Sequence, residues 1–256
     1  MPITALLRHA ALACCAMTAA HAATPERDAW RDARQLVLVT TADWNAAGGT
    51  LRTYARDDDG AWHSVGEPVT VTIGRAGSAW GLGLHGAHDG PVKREGDGRS
   101  PAGAFRLGDA FGYAASAQTA LPYIAMQATH WCVDVAASPL YNRIVDTRVV
   151  GDAAIAGSTE PMRRDIHADG DVRYRAGFVI AHNAHNVPNA GSCIFAHLWR
   201  TPGEATSGCT AMDEPAMQRL YAWLAPELMP VFVLLPQHEY ATLRAGWRLP
   251  DLTETP

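Results

Sequence analysis

The 256-residue chain has no long basic run, and its formal net charge is −5. Nothing in that balance favours nucleic acid or an anionic membrane surface. Beyond its first residues it has no apolar stretch approaching the roughly 20 residues that a bilayer requires. No phosphate loop or dinucleotide fingerprint is present, because Gly96 and Gly98 precede no helix signal, and no residue pattern calls for a cofactor. Internal repeats and low-complexity tracts are also missing. Cysteine is scarce: there are five, and Cys14 and Cys15 fall in the leading segment.

That segment, MPITALLRHAALACCAMTAAHAATPERDAW, carries Arg8 and His9, then a short apolar stretch, then small residues ending in Ala20-His21-Ala22. Residues 1–22 read as a secretory signal peptide with an A-x-A cleavage site. A lipoprotein reading through Cys15 is weaker, since Cys14 precedes it. The mature chain is then expected to be exported and soluble, with residues 23–34 as a polar lead-in. Cys132, Cys193 and Cys209 would face an oxidising compartment, where two tend to pair and one is left over.

Strand signals dominate the remainder. RQLVLVTTADW reads as one strand and TLRTYARDDDGAWHSVGEPVTVTIG as two or three, with a hairpin turn at Asp59-Gly60. The Gly-rich stretch GLGLHGAHDGPVKREGDGRSPAGAFRLGDAFGY, broken by Pro91 and Pro101, reads as loop around a short strand at 104–107. Further strand-like runs are YIAMQ, WCVDV, VRYRAGFVIAHN, SCIFAHLW and VFVLL. The best helix is DEPAMQRLYAWLA: Asp213 or Glu214 can cap it, Pro215 suits its first turn, and Met217, Leu220, Tyr221 and Leu224 share one face. Residues 239–256 read as a C-terminal tail, with RLPDLTETP frayed. The expectation is a mainly β domain over 35–238, with few helices.

HLWRTPGEATSGCTAM, residues 197–212, poses the functional question. A thiol attacks carbonyls only as thiolate, so a cysteine nucleophile needs a base or cation beside it. His197 ends an apolar run whose alternation sends Phe195 and His197 to one face. Cys209 sits just ahead of the expected helix. Gly208 clears space for a substrate, and the amides of Gly208 and Cys209 could form an oxyanion hole. The plain alternative makes Cys209 a buried thiol or half a disulfide, and His197 a core histidine.

SPAGAFRLG followed by AHLW and TSGC resembles the L,D-transpeptidase catalytic domain family of cell-wall cysteine enzymes. Its signature is a T-P-x-G-x-F segment, then a histidine, then S/T-x-G-C. Ser100, Pro101, Gly103 and Phe105 match the upstream segment; His197 matches the general base; Thr206, Gly208 and Cys209 match the nucleophile motif. The resemblance spans about 35–236 and implies a β-sandwich of mixed sheets with a helix after the catalytic cysteine. It also implies a periplasmic or wall-associated enzyme that takes peptidoglycan stem peptides as acyl donors through a Cys209 thioester. An L,D-carboxypeptidase or amidase on the same scaffold, and a non-catalytic wall-binding domain, are the alternatives. Two departures bear on substrate grip. Ser207 stands where the family has histidine, and Ala211 stands where it has a basic residue, leaving Arg200 or Arg99 as candidate carboxylate clamps. If Cys209 must stay reduced to act, the simplest pairing joins Cys132 to Cys193; the alternative leaves both free and buried.

Other constellations carry less. His182 and His185 in IAHNAHN lack the glutamate of a zinc-protease helix and suit a cleft-lining or structural role better than metal binding. DIHADGDVRYRA fails as a calcium loop at its third and twelfth positions, His167 and Ala176, and reads as a polar turn. His85 and His88 sit in a Gly-rich turn that could rim a cleft.

Overall fold

The apolar run at the start of the domain forms β1 (Gln35–Thr41), and every one of its residues is buried. A computed structural model describes residues 29–252; the expected signal peptide, residues 23–28 of the lead-in and the last four residues lie outside the described residues. After β1 come β2 (Gly48–Arg56), β3 (Trp62–Ser64), β4 (Val69–Thr72), β5 (Ser78–Trp80), β6 (Ser100–Gly112), β7 (Tyr123–Ala125), β8 (His130–Cys132) and β9 (Ile144–Asp146). Then follow the short α1 (Thr147–Val150), β10 (Glu160–Pro161), the short α2 (Arg164–His167), β11 (Ala176–Ile180), β12 (Phe195–Leu198) and β13 (Thr210–Met212). The chain ends with α3 (Glu214–Trp223), β14 (Val231–Pro236) and α4 (Gln237–Trp247).

β1 pairs with β2 on one side, antiparallel, and with β14 on the other, parallel. The order β1-β14-β6-β11-β12-β13-β4-β2 therefore returns to β1 and closes a barrel, with β3, β5 and β7 attached at its margins. Full burial of both β1 and β14 fits their parallel pairing, which leaves neither strand a wet face. A separate antiparallel sheet, β10-β8-β9, lies off the barrel. The mainly β class with mixed sheets is thus what is observed, in the form of a closed barrel rather than two strand layers with free edges.

The Asp59-Gly60 turn joins β2 to β3, with Gly60 at φ +87°. Asp213 caps α3, its carboxylate accepting the Ala216 amide at 2.8 Å, and Pro215 lies in the first turn. Three expectations need correction. The Gly-rich segment is not a loop around a four-residue strand: β6 runs for 13 residues. Gly103 within it serves close approach, since a Cβ there would fall 1.9 Å from the His85 ring. Residues 239–252 are not a tail, because α4 packs on the barrel and buries Tyr240 and Trp247, with Leu249 buried beyond it. The lead-in likewise joins the core through Trp30 and Ala33.

Candidate active site

Cys209 is the one free cysteine among the described residues and is buried; Cys132 and Cys193 form a disulfide that ties β8 to the segment entering β12. The thiol belongs to a small apolar cluster with Phe111, Met126, Met162, Tyr174, Phe195 and the disulfide. β12 and β13 run parallel, pairing Ala196 with Thr210 and His197 with Ala211. Cys209 lies one residue before that ladder begins. There its sulfur takes the place of a backbone acceptor, receiving the Phe195 amide at 3.4 Å.

The backbone of Cys209 is held from two distant parts of the chain. Its carbonyl accepts the Ser100 hydroxyl at 3.0 Å and the Thr206 hydroxyl at 2.7 Å. The Ser100 oxygen in turn accepts the Gly74 amide at 2.9 Å. Ser100 and Thr206 thus meet on one atom, 106 residues apart in sequence. Pro101, Gly103 and Phe105 do something different. They pack against the 81–85 segment, where a Cβ on Gly81 would lie 2.7 Å from the Pro101 ring and one on Gly83 2.7 Å from the Phe105 ring.

The expected oxyanion pair requires correction. The Gly208 amide is spent on the Thr206 hydroxyl at 3.1 Å, in the local side-chain turn that Ser and Thr favour. The Cys209 amide has no partner among the described residues. The arginines change as well. Arg99 is committed to the carbonyls of Trp44 and Ser78 and to Asn45, each at 2.9 Å, so it ties loops together. Arg200 pairs with Glu204 on the surface. Neither is free to clamp a substrate.

A cavity of about 260 Å³ opens on Cys209 and is lined also by Arg75, Lys93, Glu95, Asp134 and Glu160, with Ser207 and Gly208 at the nucleophile. Two larger cavities, of about 530 and 660 Å³, are lined without Cys209 or His197. Of these three, only the small cavity presents a nucleophile. Its charged residues escaped sequence reading: Arg75 and Lys93 come from loops, and Glu160 from a two-residue strand. The one available signal was Ser207, whose hydroxyl accepts Arg75 Nη1 at 2.9 Å.

His197 is buried in β12, where Nδ1 donates to the Leu198 carbonyl at 2.7 Å. A carbonyl only accepts, so the proton sits on Nδ1 and Nε2 carries the lone pair. Among the described residues Nε2 has no hydrogen-bond partner, and no hydrogen bond joins His197 to Cys209. Tyr174 stands beside both: its ring centre is 5.2 Å from that of His197, edge to face, and it packs in the Cys209 cluster. Its hydroxyl donates to Glu160 Oε1 at 2.7 Å, an oxygen that also accepts Arg164 Nη1 at 2.7 Å.

Burial pushes the thiol up to about 12, and the Glu160 carboxylate adds to that push against the Phe195 amide and the cations Arg173 and Lys93. Burial also lowers His197 to about 4, outweighing the Leu198 carbonyl. The resting pair is therefore a neutral thiol and a neutral imidazole. Such a pair can act as nucleophile and general base if the proton leaves as the new bond forms.

His182 has both ring nitrogens engaged, Nδ1 accepting the Leu82 amide at 3.1 Å and Nε2 donating to Ala190 at 2.9 Å, which makes it structural. His185 lines the 660 Å³ cavity together with His85 and His88. The 165–176 turn is held by Asp171, which takes both Arg164 and Arg173.

Comparison of the chain with protein-family models, with curated proteins and with solved structures yields no match.

Proposed function

We propose that the chain is an exported cysteine acyl-transferase of the L,D-transpeptidase type, acting on peptidoglycan stem peptides through a Cys209 thioester. The observation that carries this reading is the convergence of Ser100 and Thr206 on the Cys209 carbonyl. The two separated motifs of the resemblance meet at the residue that would do the chemistry, beside a cavity that Cys209 lines. On this reading the closed barrel stands in for the β-sandwich that the resemblance implies.

In the proposed reaction the Cys209 sulfur attacks the carbonyl on the L-centre of the diaminopimelate residue. The thiol proton passes to His197 Nε2, and the Cys209 amide offers a hydrogen bond to the developing oxyanion. Collapse breaks the peptide bond, and the same proton leaves with the amine of the terminal D-alanine. An amine from a neighbouring stem, or water, then resolves the thioester. The imidazole and thiol must close on one another as substrate binds, as catalytic hydrogen bonds often do.

The test is the intact mass of the mature protein after incubation with a tetrapeptide stem. A tripeptidyl adduct on wild type, absent from Cys209→Ala, is expected. No adduct on a protein whose Cys209 titrates as a free thiol would overturn the proposal. Adding an amine acceptor then separates transfer, which yields a new amide, from hydrolysis.

A further inference from the structure

The charges around the Cys209 cavity do not balance in pairs. Lys93 is matched by Asp97 at 2.6 Å, and Glu160 by Arg164 at 2.7 Å. Arg75 is not matched: it is exposed, donates to the neutral Ser207 hydroxyl, and faces no carboxylate among the described residues. Arg34, Arg148, Arg175 and Arg244 each face an acid, whereas Arg52, Arg99 and Arg106 donate to neutral oxygens away from this cavity's nucleophile. Two acids of the same cavity are in the converse position. Glu95 accepts the hydroxyls of Tyr141 and Ser192 and the Gly96 amide. Asp134 accepts the Thr159 amide at 2.9 Å and its hydroxyl at 2.5 Å. Those donors are all neutral, so they orient each carboxylate without cancelling its charge.

Glu95 and Asp134 are partly buried, so without counter-ions they pay part of their desolvation cost unreturned and a cationic ligand gains by supplying the partner. The exposed Arg75 guanidinium stands ready to take a carboxylate in bidentate geometry. The cavity offers one guanidinium and two oriented carboxylates, about a nucleophile. We infer that Arg75, together with Asp134 and Glu95, reads an amino-acid zwitterion, Arg75 taking its carboxylate and the acids its ammonium group. The inference rests on the proposed function in identifying that zwitterion with the side-chain end of a diamino diacid in a stem peptide. Its charge logic is independent of whether Cys209 reacts. Arg75, which pairs through its backbone with Thr206, then holds the place that neither Arg99 nor Arg200 can fill.

The test uses the full chain carrying Cys209→Ala, so that nothing turns over, titrated calorimetrically with three tetrapeptide stems. One has a free diaminopimelate side chain, one has that side-chain carboxylate amidated, and one has its amine acetylated. Each capping is expected to weaken binding about tenfold or more, the scale of one charge-assisted hydrogen bond. Arg75→Gln should weaken the free peptide by a similar factor and leave the amidated one unchanged, while Arg75→Lys restores part of the loss. Asp134→Asn and Glu95→Gln should act on the free-amine peptides and spare the acetylated one. Capped peptides that bind within about twofold of the parent would overturn the inference, as would a parent that does not bind, or an Arg75→Gln variant that loses all three peptides equally. Thioester formation on wild type is scored separately. Charge-selective binding without a thioester removes the acyl-transfer reading and keeps this one; a thioester with charge-indifferent binding does the reverse.

Discussion

Two buried histidines, His182 and His197, share most of their physical description and differ in one atom. Each is almost inaccessible, each lies against an aromatic ring, and burial holds each near 4. Each also donates one N–H to a backbone carbonyl. At His182 the second nitrogen is filled by the Leu82 amide, so the ring serves as a strut between two loops. At His197 the second nitrogen keeps its lone pair. Neither burial nor a shifted pKa singles out a base here; the count of spent and unspent acceptors does.

The sharpest way to break that comparison is to remove each ring in turn. His197→Gln should slow acyl-enzyme formation by roughly 10²–10⁴-fold, the range for a lost general base, with the fold retained. His182→Gln should leave the rate per folded molecule unchanged and cost about 1–3 kcal/mol of stability, because the Leu82 amide and the Ala190 carbonyl lose a partner. Stopped-flow acylation and urea melts read the two effects, and equal rate losses would show that the distinction is not functional.

Acid should next reveal what the two rings have in common. Both fold with their pKa depressed from the ordinary 6.5 to about 4. Between those values the unfolded chain binds protons that the folded one does not, so stability falls as pH drops through the window and levels off below about 4. Each ring contributes on the order of 3 kcal/mol to that fall. Denaturant titrations from pH 7 to 4 should show the slope, and His182→Gln should remove about half of it.

Smaller effects separate holding the nucleophile from holding the base. Ser100→Ala removes the hydroxyl that joins the Gly74 amide to the Cys209 carbonyl, and should cost about 1–3 kcal/mol and slow acylation. The acid limb that His197 sets in the rate profile should not move. Tyr174→Phe keeps the ring beside His197 and loses only the hydrogen bond to Glu160, which predicts a stability loss of about 1 kcal/mol by thermal melt. A larger loss would mean that the buried Glu160 carboxylate depends on that hydroxyl more than an ordinary hydrogen bond implies.

Much of this was legible from residue order, and the rest was not for identifiable reasons. α3 announced itself through Asp213, Pro215 and the spacing of its apolar face, because caps and periodicity are local. β6 did not, since Pro101, Gly103 and Gly108 carry turn propensities that tertiary contacts with His85 and Val179 override. α4 offered no side-chain cap and only two buried residues, so it resembled a tail. Cys209, His197 and Ser100 could be named because motifs mark them. Arg75, Asp134, Glu95 and Glu160 could not, because loops and short strands bring them to the cavity from positions 75 to 160, and no spacing rule spans such distances.

The seam of the barrel also sets an order of events. β1 is among the first parts of the described chain to leave the ribosome, yet one of its edges is covered only by β14, nearly 200 residues later. β2 can pair at once through a local hairpin. The other edge, six paired positions long, must wait with its amides and carbonyls open until residue 236 has been made. Contacts of that sequence separation slow folding and leave a nascent chain open to intermolecular strand pairing in the interval. Chains shortened before β14 should therefore aggregate rather than form a smaller barrel.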